Sequence, residues 1–173
     1  IDNIVTLGEY DVIHAFDWLT IRPALRAKKL TGKPLIVNIH ALEYDRAGGK
    51  RGNPLVWEIE YQGMMMADKV VTVSQLTKDI IVREYHIPAE KIEVIHNSFD
   101  LNMYDEVKGD NSYRYLEAMK SHGYKVVMFV GRLTLQKGLY NLIRAFARVV
   151  EKEPKTILLV VGSGEQEIEL IEL

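Results

Sequence analysis

The chain contains no cysteine, which excludes disulfides and any metal centre built on thiolates. The absence also agrees with a reducing compartment. An excess of charge is missing too: 22 Lys and Arg stand against 24 Asp and Glu, a formal net charge of −2. No segment gathers enough cations for a nucleic-acid footprint. No apolar run approaches the roughly 20 residues of a membrane-spanning helix, and no signal-peptide pattern precedes the first strand. Internal repeats and low-complexity tracts are absent as well. These absences lead to the expectation of a soluble, cytoplasmic protein whose partners are neither nucleic acids nor bilayers. What is present is core-forming material, 47% hydrophobic residues over 173 positions, enough for one domain or two small ones.

That material is distributed in alternation. Six short apolar or β-branched runs, at 11–16, 34–39, 69–73, 92–95, 125–130 and 156–161, are separated by helical spacing over 19–30, 54–66 and 75–85. Alternating βα units predict an α/β fold with Rossmann-like parallel, doubly wound sheets and flanking helices. Ser74 is placed to cap the helix that follows it. From Phe99 to Tyr124 the pattern weakens into polar, Asn/Asp/Gly-punctuated sequence with one helix over 113–121. Residues 1–100 therefore read as one α/β domain, 101–124 as a linker and 125–173 as the start of a second domain. Two strands seldom make a stable sheet alone, so the chain reads as an interior portion of a larger two-domain protein, incomplete at both ends, or as a reduced relative of one.

The segment Gly131-Arg132-Leu133-Thr134-Leu135-Gln136-Lys137-Gly138 puts two cations in a glycine-bounded loop. Before it lies the apolar run Val126 to Val130, expected to be buried on both faces. After it, Leu139, Leu142, Ile143, Phe146, Ala147 and Val150 form one face of an amphipathic helix. The loop thus occupies the carboxyl edge of a parallel strand, where open α/β sheets bind ligands and helix N-termini meet anions. It is neither a Walker loop nor a dinucleotide fingerprint. On local physics it is either a diphosphate clamp or a βα turn with two solvated cations.

Other candidates lie at the same kind of edge. Asp17 and Trp18 follow the first strand: a carboxylate accepts bonds from sugar hydroxyls while an indole covers a pyranose face. Alternatively Asp17 caps the following helix and Trp18 is core. His40 closes the second strand and can donate to a hydroxyl or phosphate, or bond a neighbouring backbone carbonyl. His96 and Asn97 end the fourth strand, where Asn97 forms an Asx-turn or meets a ligand. His14, Asp17, His40 and His96 form no local metal-ligand motif, so no metal is expected. The basic loop Ala47 to Gly52 serves as a lid or as ordinary surface. The Met64-Met65-Met66 run reads as helix-end packing and Trp57 as core.

In this order, Tyr10 to Trp18, Val37 to His40, Ala67 to Ser74, Pro88 to Asp100, Gly131 to Gly138 and Val161 to Glu165 resemble the retaining GT-B glycosyltransferases of the glycogen/starch-synthase-like branch. The resemblance runs through nearly the whole chain. It implies two Rossmann-like domains that close over a nucleotide-sugar. Arg132 and Lys137 then hold the donor diphosphate and stabilise the leaving nucleoside diphosphate. It further implies that His40 contacts the reacting sugar, Asp17 and Trp18 line the sugar or acceptor site, and Asn97 lies near the interdomain cleft. Gly131 belongs to the same clamp, and Gly162 and Gly164 allow close backbone approach to the nucleotide. The implied reaction moves a glucosyl or other hexosyl unit from a UDP-, ADP- or GDP-linked donor to a glucan or small acceptor. Configuration is retained by front-face displacement, without cofactor or metal.

Departures accompany the matches. Phe16 stands where this branch usually carries a second histidine, and Ser98 where it usually carries glycine. The family's N-terminal glycine-rich loop and its later acidic donor-binding motif have no counterparts, so the chain alone is expected to be weak or inactive. Two further readings stay open: a non-catalytic nucleotide- or sugar-binding module, and a GT-B-type epimerase. Exposed sheet edges also predict self-association.

Overall fold

The computed structural model describes residues 8–100 and 114–173. The polar stretch 107–112, the start of the helix expected from residue 113 and most of the expected linker lie outside the described residues. The chain divides between Phe99 and Asp100 into two units.

The first unit is a four-stranded parallel sheet with strand order β1-β2-β3-β4, formed by Ile13–Phe16, Leu35–Ile39, Lys69–Thr72 and Ile92–Val94. Its helices are α1 (Asp17–Thr31), α2 (Glu43–Arg46), α3 (Pro54–Met66) and α4 (Gln75–Tyr85). Each strand neighbours the next in sequence, so right-handed crossovers carry α1, α3 and α4 to one face. On that face Ala15, Val37, Val70 and Ile92 form one row across the sheet, all buried. On the opposite face His14, Phe16, Lys69 and Glu93 are exposed, while Asn38 at its centre is buried.

Local chemistry sets the boundaries. The α1 helix ends at Gly32 in the left-handed region (φ 68°), its amide returning to Lys28 O at 2.8 Å. The Asn53 side chain caps α3 by accepting from Leu55 N at 2.9 Å, with Pro54 at the first helical position. Ser74 caps α4 as expected, its Oγ accepting from Thr77 N at 3.1 Å. Helices α1 and α3 meet at Gly63, where a Cβ would fall 2.6 Å from Ile21 Cγ2. Trp57 is core, stacked on Tyr85 with ring centroids 3.9 Å apart. Of the methionine run only Met64 is buried; Met65 and Met66 are exposed.

The second unit pairs β5 (Lys125–Val130) with β6 (Thr156–Val161) in parallel, Lys125 opposite Thr156 through Val130 opposite Val161. Its helices are α5 (Arg114–Ser121), α6 (Leu139–Lys152) and α7 (Glu167–Ile171). β5 is not buried on both faces as its apolar run predicts. Met128 and Val130 are 61% and 66% exposed on one face and Val127 42% on the other, because a sheet of two strands lacks full covering layers among the described residues.

Candidate functional site

The carboxyl edge of the first sheet is organised around Asp17. Its backbone sits in the left-handed region at φ 54°, which an aspartate tolerates better than most side chains but still at a cost. Helix α1 begins at this residue and its N-cap is Phe16, without a side-chain cap bond; the alternative in which Asp17 caps the helix is therefore not realised. Instead the Phe16 amide donates to Thr20 Oγ1 at 2.7 Å. The Asp17 carboxylate turns across to the neighbouring strand end: Oδ1 accepts from the His40 amide at 2.8 Å and Oδ2 lies 3.4 Å from His40 Nδ1.

His40 is thus held on three sides. Asn38 Nδ2 lies 3.3 Å from its ring nitrogens, and Phe16 stacks on it at 6.0 Å between centroids. With a proton on Nδ1 toward the Asp17 carboxylate, Nε2 is left as an acceptor for the Asn38 amide or a ligand hydroxyl. About a third of each of the two side chains is exposed. The alternative of a backbone-carbonyl bond belongs to His96 instead, whose Nδ1 lies 3.0 Å from Val73 O. Trp18 is half-buried against the core. Asn97 is exposed three residues beyond the end of its strand and makes no Asx-turn hydrogen bond among the described residues.

Beyond His40 the chain enters a segment whose backbone is held by charged side chains. Leu42 N donates to Asp45 Oδ2 at 2.9 Å, and Glu43 N donates to both oxygens of Glu60 at 3.0 Å. Arg46 Nη1 donates to Ala41 O at 2.9 Å. Arg46 also bonds Glu43 Oε2 and Glu60, while Tyr85 donates to Glu60 Oε2 at 2.6 Å. Glu60 is fully buried. Burial pushes its carboxyl above the usual carboxylate range, against the opposing pull of Tyr85, the Glu43 amide and Arg46. Burial and the adjacent Glu60 also push the Tyr85 phenol up. Sequence reasoning missed this cluster. Its signal was an acid on the apolar face of a helix, four residues after Val56 and four before Met64.

The basic loop is anchored at its end by Asn53 N, which donates to Glu43 Oε1 at 2.8 Å. Arg51 lies 5.3 Å above the Trp57 ring, beside a surface pocket of about 540 Å³ that Lys50 and Tyr61 also line.

In the second unit the expected clamp is a loop locked to its neighbour. Leu133 N donates to Ser163 O at 2.9 Å, Gly131 N to Val161 O at 3.0 Å and Gln166 N to Leu133 O at 3.1 Å. A Cβ at Gly164 would lie 2.4 Å from Leu133 O. Gly162 and Gly164 therefore allow the close approach of two protein backbones at the ends of β5 and β6. A 3₁₀ turn over Leu135–Lys137 leads to Gly138, left-handed at φ 67°, which caps α6. Arg132 and Lys137 are both exposed, and neither has an ion-pair partner among the described residues. The side-chain oxygens Thr134 Oγ1 and Gln166 Oε1 are buried with no hydrogen-bond partner among the described residues. No group of three or more His, Cys, Asp or Glu among the described residues is placed to hold a metal ion. No described helix is long and apolar enough to cross a membrane.

Comparison with known proteins accounts for both units. The family model of glycosyltransferase family 4 matches residues 1–103, and that of the glycosyl transferases group 1 matches residues 117–173. An uncharacterized glycosyltransferase of Methanocaldococcus jannaschii is 32% identical over 170 residues, 94% of this chain and 43% of that protein. The glycogen synthase of Mycobacterium tuberculosis is 28% identical over 165 residues, covering 94% of this chain and 38% of its own length. Anabaena HepE, solved in complex with UDP and glucose, superposes with a TM-score of 0.75 at 22% identity over 99% of this chain and 45% of that one. The chain spans less than half the length of these relatives.

Proposed function

The chain belongs to the glycosyltransferases, its larger part to family 4 and its remainder matching group 1, and from that premise we propose that it carries part of the donor and sugar sites of a hexosyltransferase that uses a nucleotide-diphosphate sugar. The observation that supports the reading best is the pair Arg132 and Lys137, exposed and free of ion pairs among the described residues, on a loop at the strand ends of a parallel sheet. Two cations at such an edge match a diphosphate in charge, and they stabilise the developing charge on the leaving nucleoside diphosphate. Gly131, Gly162 and Gly164 hold that loop in shape. His40 and Asp17 act on the sugar: the imidazole bonds a hydroxyl of the reacting hexose, and the carboxylate orients the imidazole. Trp18, with Asp17, lines the sugar and acceptor side, and Asn97 serves the donor. The transfer proceeds with retention, the leaving phosphate assisting removal of the acceptor proton, and requires neither cofactor nor metal. A glucosyl unit and a glucan acceptor are the preferred pair, consistent with a glycogen synthase among the relatives and with UDP and glucose in HepE.

The test is calorimetric titration of UDP, ADP and GDP into the complete protein and its Lys137→Ala variant, followed by assay with the matching nucleotide-glucose. One diphosphate should bind, with affinity falling on the order of 10- to 100-fold in the variant. Equal affinity in the two proteins sinks the clamp assignment. Binding without transfer to any acceptor supports a non-catalytic module, and donor turnover independent of acceptor supports an epimerase.

A further inference from the structure

Four consecutive residues starting at His40 have their backbone held by charged side chains. The His40 amide donates to Asp17, the Ala41 carbonyl accepts from Arg46, the Leu42 amide donates to Asp45, and the Glu43 amide donates to Glu60. A strand exit is ordinarily free to vary, since loops carry few obligatory contacts. Here one buried carboxylate anchors the far end of the segment. Glu60 is fully buried, yet it lies on α3, well away in sequence from the residues it holds. Retaining a buried carboxylate is costly unless each of its oxygens is engaged, and both are: Arg46 and the Glu43 amide reach Oε1, while the Glu43 amide and the Tyr85 hydroxyl reach Oε2. Tyr85 is itself buried and stacked on Trp57, so the anchor is fixed to the core of the unit. Arg46 carries the constraint onward. Its guanidinium spans from Glu60 and Glu43 to the carbonyl of Ala41, the residue next to His40, and that fork geometry is one a lysine cannot reproduce.

We propose that Glu60 and Arg46 are positioning residues for His40, setting where its imidazole stands through the backbone of residues 41–43. The inference rests on the reading in which His40 meets the reacting sugar, but the placement of the ring can be measured apart from activity. Neither residue touches a ligand in this assignment. An apolar residue at position 60 would serve packing alone, whereas the carboxylate fixes the segment in one geometry, and a misplacement near 1 Å at a reacting group can cost about 100-fold in rate.

The experiment uses the complete protein and the variants Glu60→Gln and Arg46→Lys. The imidazole nitrogen and carbon signals of His40, assigned with a His40→Asn variant, are recorded beside circular dichroism melting and steady-state transfer kinetics. Glu60→Gln keeps an acceptor for the Glu43 amide but loses the charge that holds Arg46. Its His40 signals should shift while the fold is retained, and kcat should fall roughly tenfold or more with the donor KM little changed. Arg46→Lys should move the same signals in the same direction by less; should Glu60→Gln fail to fold, this variant decides the question. Unmoved His40 signals in a folded variant overturn the proposal, as does a loss of activity that appears only in KM for the donor. If His40→Asn leaves transfer intact while Glu60→Gln still shifts the ring signals, the reading of His40 fails and the positioning stands.

Discussion

A Cβ on Gly162 would lie 1.9 Å from the carbonyl oxygen of Gly131. No side chain fits there, and Gly162 also holds φ 146°, a conformation natural only to glycine. The contact joins the ends of β5 and β6 and thereby shapes the loop that carries Arg132 and Lys137.

Gly162→Ala must therefore push the two strand ends apart. The expected cost is about 2–4 kcal/mol of stability, with faster amide exchange at Gly131 and Leu133, whose bonds to Val161 and Ser163 close the contact. Urea denaturation and hydrogen exchange on the complete protein measure both; an unaltered exchange pattern would refute the lock.

Asp17 offers a separation of charge from geometry. Asn tolerates the left-handed conformation and keeps an oxygen for the His40 amide, so Asp17→Asn should cost about 1 kcal/mol or less. Asp17→Ala leaves that amide without its partner and should cost about 1–3 kcal/mol. Chemical denaturation of the two variants side by side provides the comparison, and equal losses would mean that the carboxylate's bond contributes nothing.

Asp68 sets a pH dependence. Its Oδ2 accepts from Lys28 Nζ at 2.7 Å and from the Leu35 amide at 2.6 Å, and these bonds, the lysine's first, hold its carboxyl below the usual range. A lowered folded pKa gives stability that is complete above the unfolded pKa of about 3.9 and is lost as pH falls through the folded value. The wild type should thus lose stability relative to Asp68→Asn between about pH 5 and pH 2. The difference should stay near 1 kcal/mol or less, since the side chain is 52% exposed and screened. Parallel melting curves across that range would show it; coincident slopes would rule it out.

Ser74 is an isolated test of local capping. Its Oγ receives the Thr77 amide at 3.1 Å, so Ser74→Ala should cost about 1 kcal/mol and Ser74→Gly only a few tenths. A thermal melt that ranks alanine above glycine would contradict the cap.

Much of the element map was legible because apolar period survives in any context. Both strands of the second unit, α3 and α4 have the bounds their patterns predict. Other features were not legible, each for a local reason. Helix α2 is four residues long, too short to show a helical period. The first strand begins at Ile13 rather than Asp11, since its pairing starts where Ile13 meets Leu35. Helix α1 begins two residues earlier than its apolar spacing, because Asp17 is drawn into the first turn by a bond to a residue 23 positions away. The open face of β5 was hidden as well: an apolar run reports what a strand can bury, while exposure depends on which layers are there to cover it.

The sequence by itself determined the alternation of strands and helices, the cap at Ser74, and the placing of Asp17, His40, Arg132 and Lys137 at strand ends, since these follow from neighbours a few residues apart. Only the tertiary structure decided that Asp17 turns to His40 instead of capping its own helix, that Glu60 is buried with both oxygens engaged, and that Gly162 must be glycine because of Gly131. Those outcomes depend on the register in which parallel strands align and on how helices cross above them. That alignment brings groups 14 to 31 residues apart into hydrogen-bond or van der Waals contact, a geometry that no local pattern encodes.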